Sequence, residues 1–173
     1  MDERLLRVLE DREKRWNKRQ ELAAKGGFAS LVTITVCLPV AYRADPVYEP
    51  LFRSMCEEYT KMLDHQGWAW RHEGFITGED GPACFIAVQE DPRKVKMFSV
   101  EAEQQIPGGR MLDIDLMDSE GVPVGREALG LPPRGCFVCD QPAAVCVSRK
   151  IHKPEDVSRK AEFLLSEAKK YFG

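Results

Sequence analysis

The chain has no apolar run long enough to cross a bilayer as a helix, which takes about 20 residues, and this excludes a transmembrane helix. It has no surplus of positive charge. Its 25 Lys and Arg stand against 28 Asp and Glu, for a formal net charge of −3 and a pI near 5.7, so a general nucleic-acid binder is excluded and any basic site must be local. There is no Walker-type G-x-x-x-x-G-K-[ST], and phosphate binding, if present, must rest on arginines and metal. Internal repeats and low-complexity linkers are also missing. The opening MDERLLRVLEDREKRW lacks the apolar centre of a signal peptide, so the expected location is cytoplasmic. In that reducing compartment the six cysteines, Cys37, Cys56, Cys84, Cys136, Cys139 and Cys146, are expected as buried thiols or metal ligands, not disulfides.

What the chain does have suits one domain over residues 1–173: 43% hydrophobic and 31% charged residues, enough for a real core. Residues 2–25 are free of Pro and Gly and stop at Gly26-Gly27, the mark of a helix. LVTITVCL at 31–38 is β-branched and ends at Pro39, a buried strand. Apolar residues recur at helical spacing from Val47 to Leu63. WAWRHEGFIT at 68–77 and ACFIAVQE at 83–90 read as strands joined by a hairpin loop from Gly78 to Pro82. A helix over 92–105 with Val95, Phe98 and Ala102 inward precedes a fourth strand in GRMLDIDLMD, 109–118. The order β-α-β-β-α-β predicts a ferredoxin-like α+β fold: an antiparallel sheet with helices on one face, extended by N- and C-terminal helices and a Cys-rich loop. The segment from Ser119 to Gly135, ahead of the cysteines, is rich in turn residues with a short helix around Arg126 to Leu129, and the last helix runs from about Pro154 to Phe172.

Three constellations carry chemistry. Alternation along a strand points Asp113 and Asp115 one way while Leu112, Ile114 and Leu116 point the other. Two carboxylates about 7 Å apart can converge on a divalent cation; the competing reading is a polar strand face meeting water, with Asp118 at its end. On the first helix Leu5, Leu9 and Trp16 share a stripe that contains Arg12, with Arg15 and Arg19 at its edge. An arginine in a packing stripe needs a fixed anion, and both a protein carboxylate and a bound phosphate meet that need. Finally, Cys136, Cys139, Cys146 and His152 have the ligand types and spacing of a tetrahedral zinc site, against the alternative of reduced thiols packed in a tail. A thioredoxin-type role is disfavoured, because Cys136 follows Pro132-Pro133-Arg134-Gly135 and no strand-to-helix turn. His65 and His72 have no partner spacing and read as surface or core histidines.

Together these pieces resemble one family, the apo-citrate lyase phosphoribosyl-dephospho-CoA transferases, or holo-citrate lyase synthases. The resemblance runs through DREKRWNKRQ at 11–20, Pro39, Arg43 and Pro46, GRMLDIDLMD, GREALGLPPRGCFVCDQPAAVC and SRKIHKPEDV. Its most specific part is the succession G-R-x-x-D-x-D, L-G-L-P-P-R-x-C-x-x-C and C-x-x-R-x-x-H. The chain departs from the family pattern at Cys37 to Val40 after the first strand and at Ala83 after Gly81-Pro82.

The resemblance implies transfer of a prosthetic group from 2′-(5″-triphosphoribosyl)-3′-dephospho-CoA to a serine of the citrate lyase acyl carrier (gamma) subunit, with release of diphosphate. It implies Mg²⁺ at Asp113 and Asp115, one of which is also a candidate base for the serine proton. Arg12, Arg15, Arg110, Arg134 and Arg149 become candidates for the phosphates. Two other classes stay open: a non-catalytic ferredoxin-like module for RNA or protein, and a nucleotidyltransferase with another donor or acceptor. RNA is disfavoured by the negative charge and the lack of paired stacking aromatics on the strands.

Overall fold

Burial sorts the strands within the sheet. In the computed structural model, which describes residues 3–173, the strands are β1 (Ser30–Val36), β2 (Trp70–Ile76), β3 (Ala83–Val88) and β4 (Leu112–Asp118). They lie in the order β2-β3-β1-β4, every neighbouring pair antiparallel. The two most apolar runs, β1 and β3, take the centre, where both faces are covered, and the more polar β2 and β4 take the edges. The connection from β1 to β2 carries α2 (Val40–Arg43) and α3 (Glu49–His65), and that from β3 to β4 carries α4 (Pro92–Gln105). The chain begins with α1 (Glu3–Lys25) and closes with α5 (Ala143–Ser148) and α6 (Pro154–Phe172). The short helices α2 and α5 have no counterpart in the sequence reading: each has six residues or fewer, too short to show a period.

Each face of the sheet meets a different partner. Ile34, Ile86 and Ile114 point into the main core, where α3, α4 and α6 supply Tyr59, Phe98 and Leu165. Leu31, Phe85 and Met117 point the opposite way into a smaller cluster closed by Leu22 of α1 and by Phe28. Helices therefore cover both faces, α1 lying on the second and closing it only at its C-terminal end. Past that end the face continues as Thr33 and Thr35, paired in register with Asp115 and Asp113.

The orientation of α1 corrects the expected stripe. Leu5, Leu9 and Trp16 are 49%, 47% and 55% exposed, and the buried residues are Val8 and Leu22. The inward stripe is rotated by about 80°, and runs Val8, Arg12, Arg15, Arg19, Leu22. Its ends are apolar and its middle is three arginines, so a search for the most apolar face picks the wrong side.

As an edge strand, β4 leaves outward backbone groups without a further strand to pair with. Buried polar side chains of α4 take that place. Lys96 Nζ donates to Ile114 O at 2.7 Å, and Ile114 N donates to Glu103 Oε1 at 3.3 Å. Arg126 Nη2 holds the other Glu103 oxygen at 2.7 Å, and Arg134 Nη2 donates to Leu112 O at 2.6 Å. Burial pushes the Lys96 pKa down, although the Glu103 carboxylate opposes it. Asp118 faces away from the aspartate pair and caps the following turn, accepting from Glu120 N and Val122 N, both at 2.9 Å.

Glu103→Ala strips this edge of its acceptor and strands Arg126. Removing one member of a buried pair costs about 3–5 kcal/mol. The expected result is a urea midpoint lowered by a corresponding amount with native-like secondary structure; a midpoint equal to that of the native chain would show that the clamp carries no stability.

Candidate active site

Between α1 and the uncovered part of the sheet lies a cavity of about 430 Å³. Arg12, Arg15, Trp16 and Arg19 descend into it from α1, Thr33, Thr35 and Cys37 rise from β1 and the residue after it, and Asp113 and Asp115 come from β4. Arg43 of α2 and Asp80 of the β2–β3 hairpin close one end.

Asp80 is the centre of that end. Its carboxylate, 3% exposed, accepts from Arg12 Nε at 3.1 Å and is bonded by the Arg15 and Arg43 guanidinium groups. Its backbone N–H donates to Asp11 Oδ2 at 3.3 Å. Burial alone pushes the Asp80 carboxyl up, but the hydrogen bonds from Arg12 and Arg15 and the charge of Arg43 outweigh it and hold the pKa below the ordinary value. Gly81 lets the hairpin come this close: its φ is +86°, and a Cβ there would meet Arg43 O at 2.9 Å.

One carboxylate cannot saturate three guanidinium groups. The buried side-chain nitrogen and oxygen atoms that lack a hydrogen-bond partner, among the described residues, are Arg19 Nε, Thr33 Oγ1 and Arg43 Nε. All three belong to residues lining this cavity. An unpartnered buried polar group costs about 1–3 kcal/mol, so the residues of this one cleft carry three hydrogen-bonding demands that the protein itself does not meet.

The opposite wall is acidic. Arg134 Nη1 donates to Asp113 Oδ1 at 2.7 Å, while Asp115 accepts no hydrogen bond from the described residues. Although solvent reaches Asp115, its seat in the cleft is poor in water, and this first, then the charge of Asp113, pushes its pKa up; Arg19, Lys96 and Arg134 reverse only part of the rise. Cys37 lies between the two walls, its thiol 3.2 Å from Arg134 Nη2 and its pKa raised by burial against the pull of Arg134.

The five arginines of the sequence reading divide. Arg12 and Arg15 line the cleft, with Asp80 as their protein anion. Arg134 abuts it through Asp113. Arg110 instead donates to Gly135 O at 2.9 Å and Cys136 O at 3.2 Å, and Arg149 is exposed at the end of α5, outside the cleft lining. Arg19, Arg43, Asp80 and Thr33 complete the site. The only signal for Asp80 was an acidic residue inside a tight Gly-flanked loop, which by itself says turn.

Cys136, Cys139, Cys146 and His152 are brought together as a group able to hold one metal ion, all ligand atoms within 4.8 Å of one another. Cys56 and Cys84 are buried thiols.

A family model described as apo-citrate lyase phosphoribosyl-dephospho-CoA transferase matches residues 3–168. Curated proteins of that name from Escherichia coli O139:H28 (strain E24377A / ETEC), Escherichia coli O8 (strain IAI1) and Shigella flexneri serotype 5b (strain 8401) are each 30% identical over 149 residues, 86% of this chain and 81% of the relative.

The depressed Asp80 pKa fixes the sign of a pH effect. The stability it contributes is complete above the ordinary carboxylate value of 3.8 and is lost as pH falls through the lower folded value. Asp80→Asn therefore destabilises at pH 7 by about 3 kcal/mol, and the gap to the native chain narrows below pH ~4. Urea titrations at pH 7 and pH 3 check this; a gap of the same size at both pH values would remove the ionised carboxylate from the explanation.

Proposed function

The chain belongs to the apo-citrate lyase phosphoribosyl-dephospho-CoA transferase family, and we propose that its cleft transfers the prosthetic group of 2′-(5″-triphosphoribosyl)-3′-dephospho-CoA to a serine hydroxyl of the citrate lyase acyl carrier (gamma) subunit. The observation that carries this reading is the set of unpartnered groups, Arg19 Nε, Arg43 Nε and the Thr33 hydroxyl, all on residues that line one cavity. A triphosphate supplies the missing acceptors, and guanidinium–phosphate hydrogen bonds are among the strong charge-assisted kind.

In this reading the serine oxygen attacks the phosphorus next to the ribose. The new P–O bond gives a phosphodiester, and the bond to the outer two phosphates breaks with its electron pair leaving on diphosphate. Arg12, Arg15, Arg19 and Arg43 hold the phosphates and meet the charge that gathers on the leaving group. Asp115, whose carboxylate is free of protein donors, takes the serine proton.

Mg²⁺ fits the same wall. Asp113 keeps one oxygen clear of Arg134, Asp115 keeps both, and each raises the other's need for a cation. Bound there, the ion would offset phosphate charge.

The strand order β2-β3-β1-β4, with each helical connection passing over one intervening strand, supports a ferredoxin-like arrangement. Helices from both chain ends pack on that sheet, which supports a single transferase domain over 1–173. No helix among the described residues is long and apolar enough to cross a membrane, and the free cysteines suit the reducing cytoplasm, where the acyl carrier subunit would be met. Zinc, held structurally, suits the three cysteines and His152.

Incubation with the donor, Mg²⁺ and apo acyl carrier subunit should add the prosthetic group, read as a mass increase of the intact subunit. Asp115→Asn should lower the rate by a factor on the order of 10² or more; native rates in that variant would take Asp115 out of the mechanism. Arg19→Ala should weaken donor binding at least tenfold while moving the melting temperature little, since Arg19 has no hydrogen bond or salt bridge with the described residues and feels only the charge of Asp115; unchanged donor affinity would remove it from the phosphate site. The rate should fall as pH drops through a value above the ordinary carboxylate range, and Asp113→Asn, by removing the neighbouring charge, should shift that acid limb to lower pH.

A further inference from the structure

The four side chains able to hold a metal ion stand apart from the cleft but are tied to it. Cys136 N donates to Gln141 O at 2.8 Å and Ala143 N donates to Arg134 O at 2.9 Å, closing a tight turn that carries Cys136 and Cys139. Val138 N reaches Cys136 Sγ at 3.4 Å, a contact that favours a thiolate. Cys146 comes from α5, and His152 follows through a turn in which Lys150 takes the left-handed conformation, φ 48°. Cys136 Sγ lies 3.5 Å from His152 Nε2, and Cys139 Sγ lies 3.5 Å from Cys146 Sγ. Around a tetrahedral zinc with Zn–S near 2.3 Å, ligand atoms stand about 3.8 Å apart, so the quartet is close to the size that zinc needs. Three sulfurs exclude Mg²⁺ and Ca²⁺, and four protein ligands leave no open position for chemistry.

Two arginines cross between this turn and β4. Arg110, just before β4, donates to Gly135 O and Cys136 O. Arg134, just before the turn, donates back to Arg110 O at 2.9 Å, to Leu112 O at 2.6 Å and to Asp113 Oδ1 at 2.7 Å. Each arginine grips the main chain next to the other. Phe137 anchors the turn to the main core, and these two arginines tie it by hydrogen bonds to the start of β4.

We infer that zinc on Cys136, Cys139, Cys146 and His152 locks this turn and, through the Arg110–Arg134 clasp, positions Asp113 in the cleft. Arg134 is then a positioning residue whose grip depends on the metal. The consequence for transfer rests on the proposed function; the metal site and the clasp do not.

The test uses the full chain purified under reductant without chelator. Elemental analysis should find about one zinc per chain, and replacement by Co²⁺ should give the visible absorption of tetrahedral, thiolate-bound cobalt. Hydrogen exchange of peptides spanning 108–118 is then followed with and without zinc, in the native chain and in Arg134→Lys. Stripping zinc should speed exchange there at least threefold in the native chain and little in Arg134→Lys, where exchange is already fast. Should Cys139→Ser fail to fold, Cys139→His retains a ligand and should keep both the zinc and the slow exchange. A reduced chain that takes up neither Zn²⁺ nor Co²⁺ overturns the metal site. Equal acceleration in the native chain and Arg134→Lys overturns the clasp. A chain that shows the expected metal content and exchange pattern yet transfers no group upholds this inference and refutes the proposed function.

Discussion

A carboxylate on the hairpin between β2 and β3 holds α1 and α2 in place at once. Asp80 accepts from Arg12 and Arg15 of the long first helix and from Arg43 of the short second one, and it is almost wholly buried in doing so. Its importance follows from the poverty of the alternatives. Leu22 and Val8 are the buried residues of α1, so apolar packing secures the two ends of the helix's inward stripe and leaves the middle to ion pairing. Without Asp80 that middle would be three arginines facing one another over a sheet, and the cleft beneath would have no roof.

The same economy explains why the roof suits an anion. Three arginines around one aspartate leave positive charge unspent, and Arg19 adds more with no carboxylate bonded to it. Donors held in place without acceptors destabilise the empty protein, and such costs collect where function needs them. Here the guanidinium groups line the same cavity as Asp113 and Asp115, the arrangement that the proposed function assigns to a triphosphate and its cation. The raised pKa of Asp115 expresses the same imbalance from the acidic side.

The acidic wall stands on an edge strand, the least constrained place in a sheet. Lys96, Glu103 and Arg134 replace the missing neighbour with side-chain hydrogen bonds, which keep the outward amides and carbonyls of β4 satisfied and the strand in register. Arg134 binds both the backbone of β4 and the carboxylate of Asp113, so edge support and site geometry share one residue. The departure from the family pattern at Cys37 falls at this point, its thiol touching Arg134, whereas Ala83 is buried in the smaller core away from the charges.

Period-two alternation is a local property, and it was enough to place Asp113 and Asp115 on one face and Ile114 on the other. Close cysteine spacing was likewise enough to gather the quartet, because short chain segments leave few ways to separate the ligands. Helix limits followed from Gly and Pro punctuation. The orientation of α1 did not, since local periodicity measures apolar character and the inward face of this helix is mainly arginine. Neither did the role of Asp80, which lies more than sixty residues from Arg12 and Arg15, nor the burial of Lys96 and Glu103, which depends on the edge strand set against them. Arg110 and Arg149 became phosphate candidates through the family resemblance, and the tertiary structure sends one to main-chain carbonyls and the other to the surface. The sequence by itself determined the four strands, the four long helices, the aspartate face and the thiol cluster, because each depends on neighbours in the chain. Which arginines meet which carboxylates, and which are left open to a ligand, only the tertiary structure decided, because an ion pair is specified by positions in space that no local pattern records.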